Sequence, residues 1–314
     1  MKRWIGSMAA LVVGGGLAIA GGAQVDQSLP TYTPTQGVSG NLKSVGSDTM
    51  NNLMTFWGEQ FNKFYPGAKI EIEGKGSSTA PPALIENQAQ FGPMSREMKA
   101  AEVDAFEKKF GYKPTALRTG IDALAVYVHK DNPIKSLTMD QLKQIFSVTG
   151  PEKMTWGDLG LTGEWASRPV SLYGRNSASG TYGYFKEHAL SKADYKPTVK
   201  EQPGSSAVVQ GVATDKSAIG YSGLGYKTAD VKAVPINGVP AENETALSGE
   251  YPLARFLYMY INHKPGTQLD PLRREFVRLV FSQQGQEVVV KDGYIPVPYA
   301  VASEELTKLG ISTK

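Results

Sequence analysis

The sequence has no cysteine and only three histidines in 314 residues. Without cysteine no disulfide can form and no lipid can be attached through a thiol. The histidines, His129, His188 and His263, stand far apart and show none of the spacings of a metal site, so they read as structural or surface residues. Excess charge is also scarce, with 33 Lys and Arg against 30 Asp and Glu, a formal +3. Binding a nucleic-acid backbone needs a concentrated basic stripe, so no nucleic-acid partner is expected. There is no repeat with a period of 20 to 50 residues, and beyond the N-terminus no apolar run long enough to span a bilayer. Motifs of hydrolases are missing too. No H-E-x-x-H or G-x-S-x-G occurs, and no S-x-x-K opens a helix beside a candidate base. An enzyme such as a secreted phosphatase would need a metal cluster or an activated nucleophile, so a non-enzymatic role without cofactor or metal is expected.

What is present is an ordinary globular composition, 41% hydrophobic and 20% charged, long enough for two domains or one large one. The N-terminus reads as a cleavable signal peptide over residues 1–23. Lys2 and Arg3 form a basic start and Met8 to Ala20 an apolar stretch, with small residues offering cleavage between Ala20 and Ala23. The stretch is too short and glycine-rich for a comfortable membrane anchor. Export, to the periplasm in a bacterium, is therefore expected, and removing Lys2 and Arg3 lowers the formal charge to +1. Residues 24–40 are rich in Gln, Thr, Gly and Pro without periodicity, and read as a flexible leader.

From there strands and helices alternate. Leu42 to Val45 suits a strand. Met50, Leu53, Met54, Trp57, Phe61 and Phe64 fall on one helical face, which Tyr65-Pro66-Gly67 ends. AKIEIEG is a strand, and Ala80 to Asn87 a helix with Pro81 and Pro82 in its first turn. IDALAVYVH, PVSLYG and FLYMYIN are further strands. Thr138 and Gln141 suit a capping box, and Leu272, Phe276, Leu279 and Val280 mark a helix. This alternation predicts an α/β architecture with mainly parallel sheets.

Three strand-to-helix turns share one chemistry: GSDTM (46–50), GKGSSTA (74–80) and SGT (179–181). Each places hydroxyls at a helix N-terminus, where backbone N–H groups lack internal partners and the helix dipole is positive. Any one of them could be plain N-capping. Three together, with Arg175 nearby, fit a small tetrahedral oxyanion at the carboxyl ends of strands. Arg175 could offer a bidentate fork to two anion oxygens, or make a surface or hinge ion pair. Asp48 has two readings: it caps its helix, or it accepts the proton that phosphate keeps at neutral pH and sulfate does not, which would discriminate the two. GYSGLGY (220–226) reads as a turn and domain contact.

The motif R-x-x-x-S-G-T, here Arg175, Ser179, Gly180 and Thr181, resembles the phosphate loop of the phosphate-binding proteins of bacterial phosphate ABC transporters. These are periplasmic substrate-binding proteins of the type II fold, and the resemblance runs from about Asn41 to the C-terminus. It implies that Thr49 and Met50 donate to phosphate from the first turn, with Ser47 or Asp48 as alternatives, and that Ser77 or Ser78 donates from the second. The family's best-known members carry G-A-S-D, whose Asp accepts the phosphate proton. Here the matching segment is FGPMSREM, with Ser95 and Arg96 at that place. Other branches carry a similar SR. The acceptor is then Asp48 or Ser95, and Arg96 either adds a second cation or pairs with an acid on the domain face.

The fold implied is two α/β lobes joined by two crossings, near ALAVYVH and PLARFLYMY. Lobe I is discontinuous, residues 41–124 and 255–314, and lobe II is 125–254. The resemblance implies a monomer that binds inorganic phosphate between the lobes and delivers it to the membrane permease subunits of an ABC importer. Sulfate or molybdate is the alternative ligand, and phosphatase activity the alternative from another class.

Overall fold

The structure is a computed structural model that describes residues 23–312. The expected signal peptide, apart from its last residue, lies outside the described residues.

The chain begins with β1 (Gly40–Val45), α1 (Asn51–Phe64), β2 (Ala68–Glu73), α2 (Ala80–Ile85), β3 (Phe91–Met94) and α3 (Ala100–Phe110). The predicted apolar face of α1 is the buried one: Leu53, Met54, Trp57 and Phe61 all lie in the core, and the Trp57 indole N–H donates to the Gly285 carbonyl at 2.7 Å. Satisfying that N–H lets so large a ring be buried without a polar penalty. Helix α2 carries Pro81 and Pro82 in its first turn, as expected, but ends at Ile85, not Asn87. Asn87 takes φ +53°, a left-handed conformation in which asparagine is tolerated and an α-helix stops.

The first crossing is β4 (Thr115–His129), a 15-residue strand. The second lobe follows with α4 (Met139–Phe146), β5 (Ser171–Arg175), α5 (Gly180–His188), β6 (Lys200–Gln202), α6 (Ser205–Thr214), β7 (Ala218–Gly223), β8 (Val231–Ala233) and α7 (Asn243–Leu247). Helix α4 opens with the predicted Thr138–Gln141 capping box. The return crossing is β9 (Ala254–Ile261), after which α8 (Pro271–Val280), α9 (Gln283–Lys291) and α10 (Tyr299–Lys308) pack back on the first lobe.

The strands lie in the order β2-β1-β3-β9-β4-β7-β5-β6, with β8 also paired to β4. Within each lobe the short strands pair in parallel: β1 with β2 and β3, and β5 with β6 and β7. The expectation of mainly parallel sheets needs one amendment. Among the strands named here, every antiparallel pairing involves β4 or β9, the strands that run between the lobes. Strand β4 pairs with β9 through Ala123 and with β7 from Leu124 onward, so one strand serves both lobes in succession. Each lobe has its own apolar core, one around Trp57, Phe61 and Phe276, the other around Phe146, Phe185 and Tyr221.

The flexible leader expected at 24–40 is corrected. Leu29, Tyr32 and Val38 are buried in the first core. The Tyr32 hydroxyl lies 2.7 Å from that of Tyr65 and donates to Glu275 at 3.0 Å. The segment has almost no regular structure, as its lack of periodicity implied, but its few apolar side chains find a groove made by residues far along the chain. No helix among the described residues is long and apolar enough to cross a membrane.

Candidate functional site

The three hydroxyl-bearing turns meet between the lobes. From the first lobe come Ser47 and Thr49 after β1, Ser77 in a 3-10 turn after β2, and Ser95 after β3. Thr181 comes from the first turn of α5 in the second lobe. All five are buried. Thr49 Oγ1 lies 2.9 Å from Thr181 Oγ1, across the gap between the lobes. Ser47 Oγ donates to Ser95 Oγ at 3.2 Å, and Ser77 Oγ lies 3.3 Å from Ser95 Oγ. The N-cap of α5 is Ser179, whose hydroxyl accepts from the N–H groups of Thr181 and Tyr182. Met50 occupies the N-cap position of α1, which has no side-chain cap, and its N–H has only a long 3.4 Å contact to Ser47 Oγ. Two helix N-termini and a set of hydroxyls therefore converge, the donor set that an oxyanion requires.

Gly180 is what lets the turns approach. A Cβ built there would stand 2.2 Å from Ser77 Oγ and 2.8 Å from Ser95 Oγ, so only glycine fits against the opposite lobe. Gly76, at φ +123°, packs on Ala178 in the same way, and the Ser78 N–H donates to the Ala178 carbonyl at 3.1 Å.

Arg175 ends β5 and is buried. Its Nη1 donates to Ser205 Oγ at 2.7 Å and its Nη2 to the Pro203 carbonyl at 3.2 Å. Its Nε is buried with no hydrogen-bond partner among the described residues. Burial pulls its pKa below the ordinary arginine value, and the negative charge of Asp48 works against that fall. Asp48 does not cap its own helix, the role that one of its two readings expected. Helix α1 has no side-chain cap. The Asp48 carboxylate instead crosses to the other lobe, where Oδ2 accepts the Ser205 N–H at 2.9 Å and lies 3.3 Å from Arg175 Nη2.

Ser77, not Ser78, belongs to the hydroxyl cluster. Ser78 accepts from Arg96 at 3.3 Å. Arg96 makes a bidentate pair with Glu102, both contacts 2.7 Å, the pairing with an acid that one of its two readings expected. Burial works to raise the Glu102 carboxyl, but hydrogen bonds from Arg96 and the Lys99 N–H outweigh it and hold it below the usual range. GYSGLGY is a lobe contact, as read: the Tyr226 hydroxyl donates to the carbonyls of Asp48 at 3.2 Å and Thr49 at 3.1 Å. The Tyr294 hydroxyl also donates to the Thr49 carbonyl, at 2.8 Å.

Sequence reasoning missed a buried ion pair beside the cluster. Arg255 on β9 donates from Nε and Nη2 to Asp122 Oδ2 on β4, at 3.1 and 2.8 Å. The same guanidinium reaches Thr181 Oγ1 at 2.9 Å and the Ser95 carbonyl at 2.7 Å. A signal was there: both are lone charges inside otherwise apolar strands, IDALAVYVH and PLARFLYMY. Among the described residues no group of three or more His, Cys, Asp or Glu could hold a metal ion.

The PBP superfamily domain matches residues 31–284. The phosphate-binding protein PstS of Pseudomonas aeruginosa is 54% identical over 322 aligned residues, covering 99% of each chain. That of Bacillus subtilis is 31% identical, covering 82% of this chain and 81% of the relative. A Clostridium perfringens substrate-binding protein solved with bound phosphate superposes with a TM-score of 0.71 at 27% identity, covering 82% of this chain and all of that one. On these grounds, which agree with the fold and the turns above, the chain belongs to the PBP superfamily and, within it, to the PstS phosphate-binding proteins.

Proposed function

We propose that the protein binds inorganic phosphate between its lobes in the periplasm and hands it to the membrane permease subunits of a phosphate ABC importer. It is a binding component, not an enzyme, and acts as a monomer after removal of its signal peptide. Lobe I comprises residues 41–124 and 255–314, together with the packed segment 24–40. Lobe II comprises 125–254.

The observation that carries the reading is Arg175. A buried guanidinium N–H without an acceptor costs about 1–3 kcal/mol, and an anion oxygen removes that cost. The hydroxyls of Thr49, Ser77, Ser95, Ser179 and Thr181 and the N–H groups of Met50 and Gly180 supply the remaining donors. The hydroxyls of Thr49, Ser77, Ser95 and Thr181 each exchange a hydroxyl partner for a phosphate oxygen, so phosphate enters with a small separation of Thr49 from Thr181. Because both lobes contribute donors, binding holds them closed as hinged bodies and presents a joint surface to the transporter.

Titration calorimetry with inorganic phosphate on the dialysed protein tests this, with sulfate and molybdate as competitors. Phosphate is expected to bind stoichiometrically and to be displaced by arsenate, which has the same shape and also keeps a proton, but not by sulfate. Sulfate or molybdate binding as tightly as phosphate would overturn the assignment of ligand. Release of phosphate from a chromogenic phosphomonoester would overturn the non-enzymatic role.

A further inference from the structure

Asp122 and Arg255 face each other in register on β4 and β9, the strands that pass between the lobes. They sit one residue from the switch point, where the Ala123–Ala254 pair ends the β9 ladder and Leu124 begins pairing with Gly223 of β7. Both are buried, and the guanidinium stands over the Tyr184 ring of α5 at 5.2 Å. Asp122 is fixed in turn by the Leu224 N–H, which it accepts at 3.0 Å. From this anchored position Arg255 donates one hydrogen bond to a site turn of each lobe, to the Ser95 carbonyl in the first and to Thr181 Oγ1 in the second.

We propose that Arg255 is a positioning residue for the bound anion, acting through Thr181 and tying closure of the lobes to binding. The reading rests on the phosphate function above. Its chemistry lies in one hydrogen bond. Arg255 donates to the Thr181 oxygen, so the hydroxyl's own proton must point elsewhere, toward Thr49 or toward an anion. A charged donor on that oxygen also polarises the hydroxyl and makes it a stronger donor. The second contact places Ser95 at a fixed distance from the crossing strand. Separating the lobes must break one of the two contacts and leave part of a buried guanidinium unpaired, whereas closure on an anion satisfies both. Asp122 orients the guanidinium and neutralises its charge.

The test is a double-mutant cycle read by phosphate calorimetry, with near-ultraviolet circular dichroism checking the fold of each variant. Arg255→Gln is expected to weaken phosphate about 10- to 100-fold, the size of a lost charged hydrogen bond. Arg255→Lys recovers part of this, since an ammonium cannot make the same fork. In the Thr181→Val background Arg255→Gln should change affinity by less than about threefold, because its route to the ligand is already gone. A merely structural role would lower the melting temperature without this non-additivity. If Arg255→Gln does not fold, leaving Asp122 buried and unpaired, the neutral pair Asp122→Asn with Arg255→Gln replaces it in the cycle. Wild-type affinity in either variant, or full additivity with Thr181→Val, overturns the positioning role and leaves the phosphate function standing. A wild-type protein that takes no phosphate defeats the functional reading, and this one falls with it.

Discussion

Asp48 Oδ2 accepts the backbone N–H of Ser205 at 2.9 Å, across 157 residues of chain and from one lobe to the other. Ser205 is the first residue of α6, whose N-terminus has no side-chain cap of its own. A carboxylate of the first lobe therefore caps a helix of the second and pairs with Arg175. Asn at position 48 would still cap, and any relief of repulsion falls alike on two dianions. Asp48→Asn is expected to leave the ratio of sulfate to phosphate affinity within about threefold of wild type, under ~0.7 kcal/mol. Calorimetry with both anions checks it. A tenfold relative gain for sulfate would return the proton-acceptor role to Asp48.

Arg175→Ala should weaken phosphate by roughly 2–5 kcal/mol, the range for truncating one member of a desolvated charge pair. The loss includes an effect on Asp48, left facing α6 without its cation. Lysine should rescue only in part, because it cannot reproduce contacts to Ser205 and Pro203 while offering a further N–H. His188→Ala is the control. The His188 ring packs tilted against Tyr184, with ring centroids 4.1 Å apart, and the change should leave phosphate affinity unaltered.

These two residues also show what the sequence could reveal. The α1 face from Leu53 to Phe61 and the Arg175–Thr181 motif are local patterns, the first within one helix and the second within one strand-to-helix turn, and both were legible. So were the crossings, because ALAVYVH and PLARFLYMY are long apolar strands. The partners of Asp48 and Arg255 were not, since Ser205, Asp122 and Thr181 meet them only after the lobes are folded and apposed. The same holds for 24–40. Leu29, Tyr32 and Val38 follow no period because the groove they fill, beside Tyr65 and Glu275, dictates their spacing.

Asp292 gives the fold a pH dependence. Burial, with the negative charge of Asp122 adding to it, pushes its carboxyl up to about 7. Its place at the C-terminus of α9, the negative end of the helix dipole, is unfavourable for a carboxylate as well. An unfolded aspartate titrates near 3.9, so between these values the folded state holds the extra proton. Stability is then full below about pH 4 and falls as pH rises toward 7. Asp292→Asn should remove that loss, raising stability at pH 8 by ~1–3 kcal/mol and changing it little at pH 4. Thermal midpoints of both proteins at pH 4 and pH 8 measure it. An equal shift at both would mean that the carboxyl does not titrate in this window.

Gly180 offers the most direct test of closure. It opens α5, where alanine is an acceptable helix residue, and its backbone needs no conformation peculiar to glycine. The obstacle to a side chain lies wholly in the other lobe, since an added Cβ would meet Ser77 Oγ at 2.2 Å and Ser77 Cβ at 2.8 Å. These are backbone-proximal atoms of a short side chain that cannot swing away. Gly180→Ala should therefore leave the melting temperature of the ligand-free protein within a few degrees of wild type while preventing the lobes from meeting. An anion then keeps the donors of one lobe only, and affinity should fall by more than about 100-fold, or ~2.7 kcal/mol. Small-angle scattering should show the variant staying expanded at phosphate concentrations that compact the wild type. A variant that binds and compacts normally would mean that the turns need not approach as closely as Gly180 and Ser77 do here.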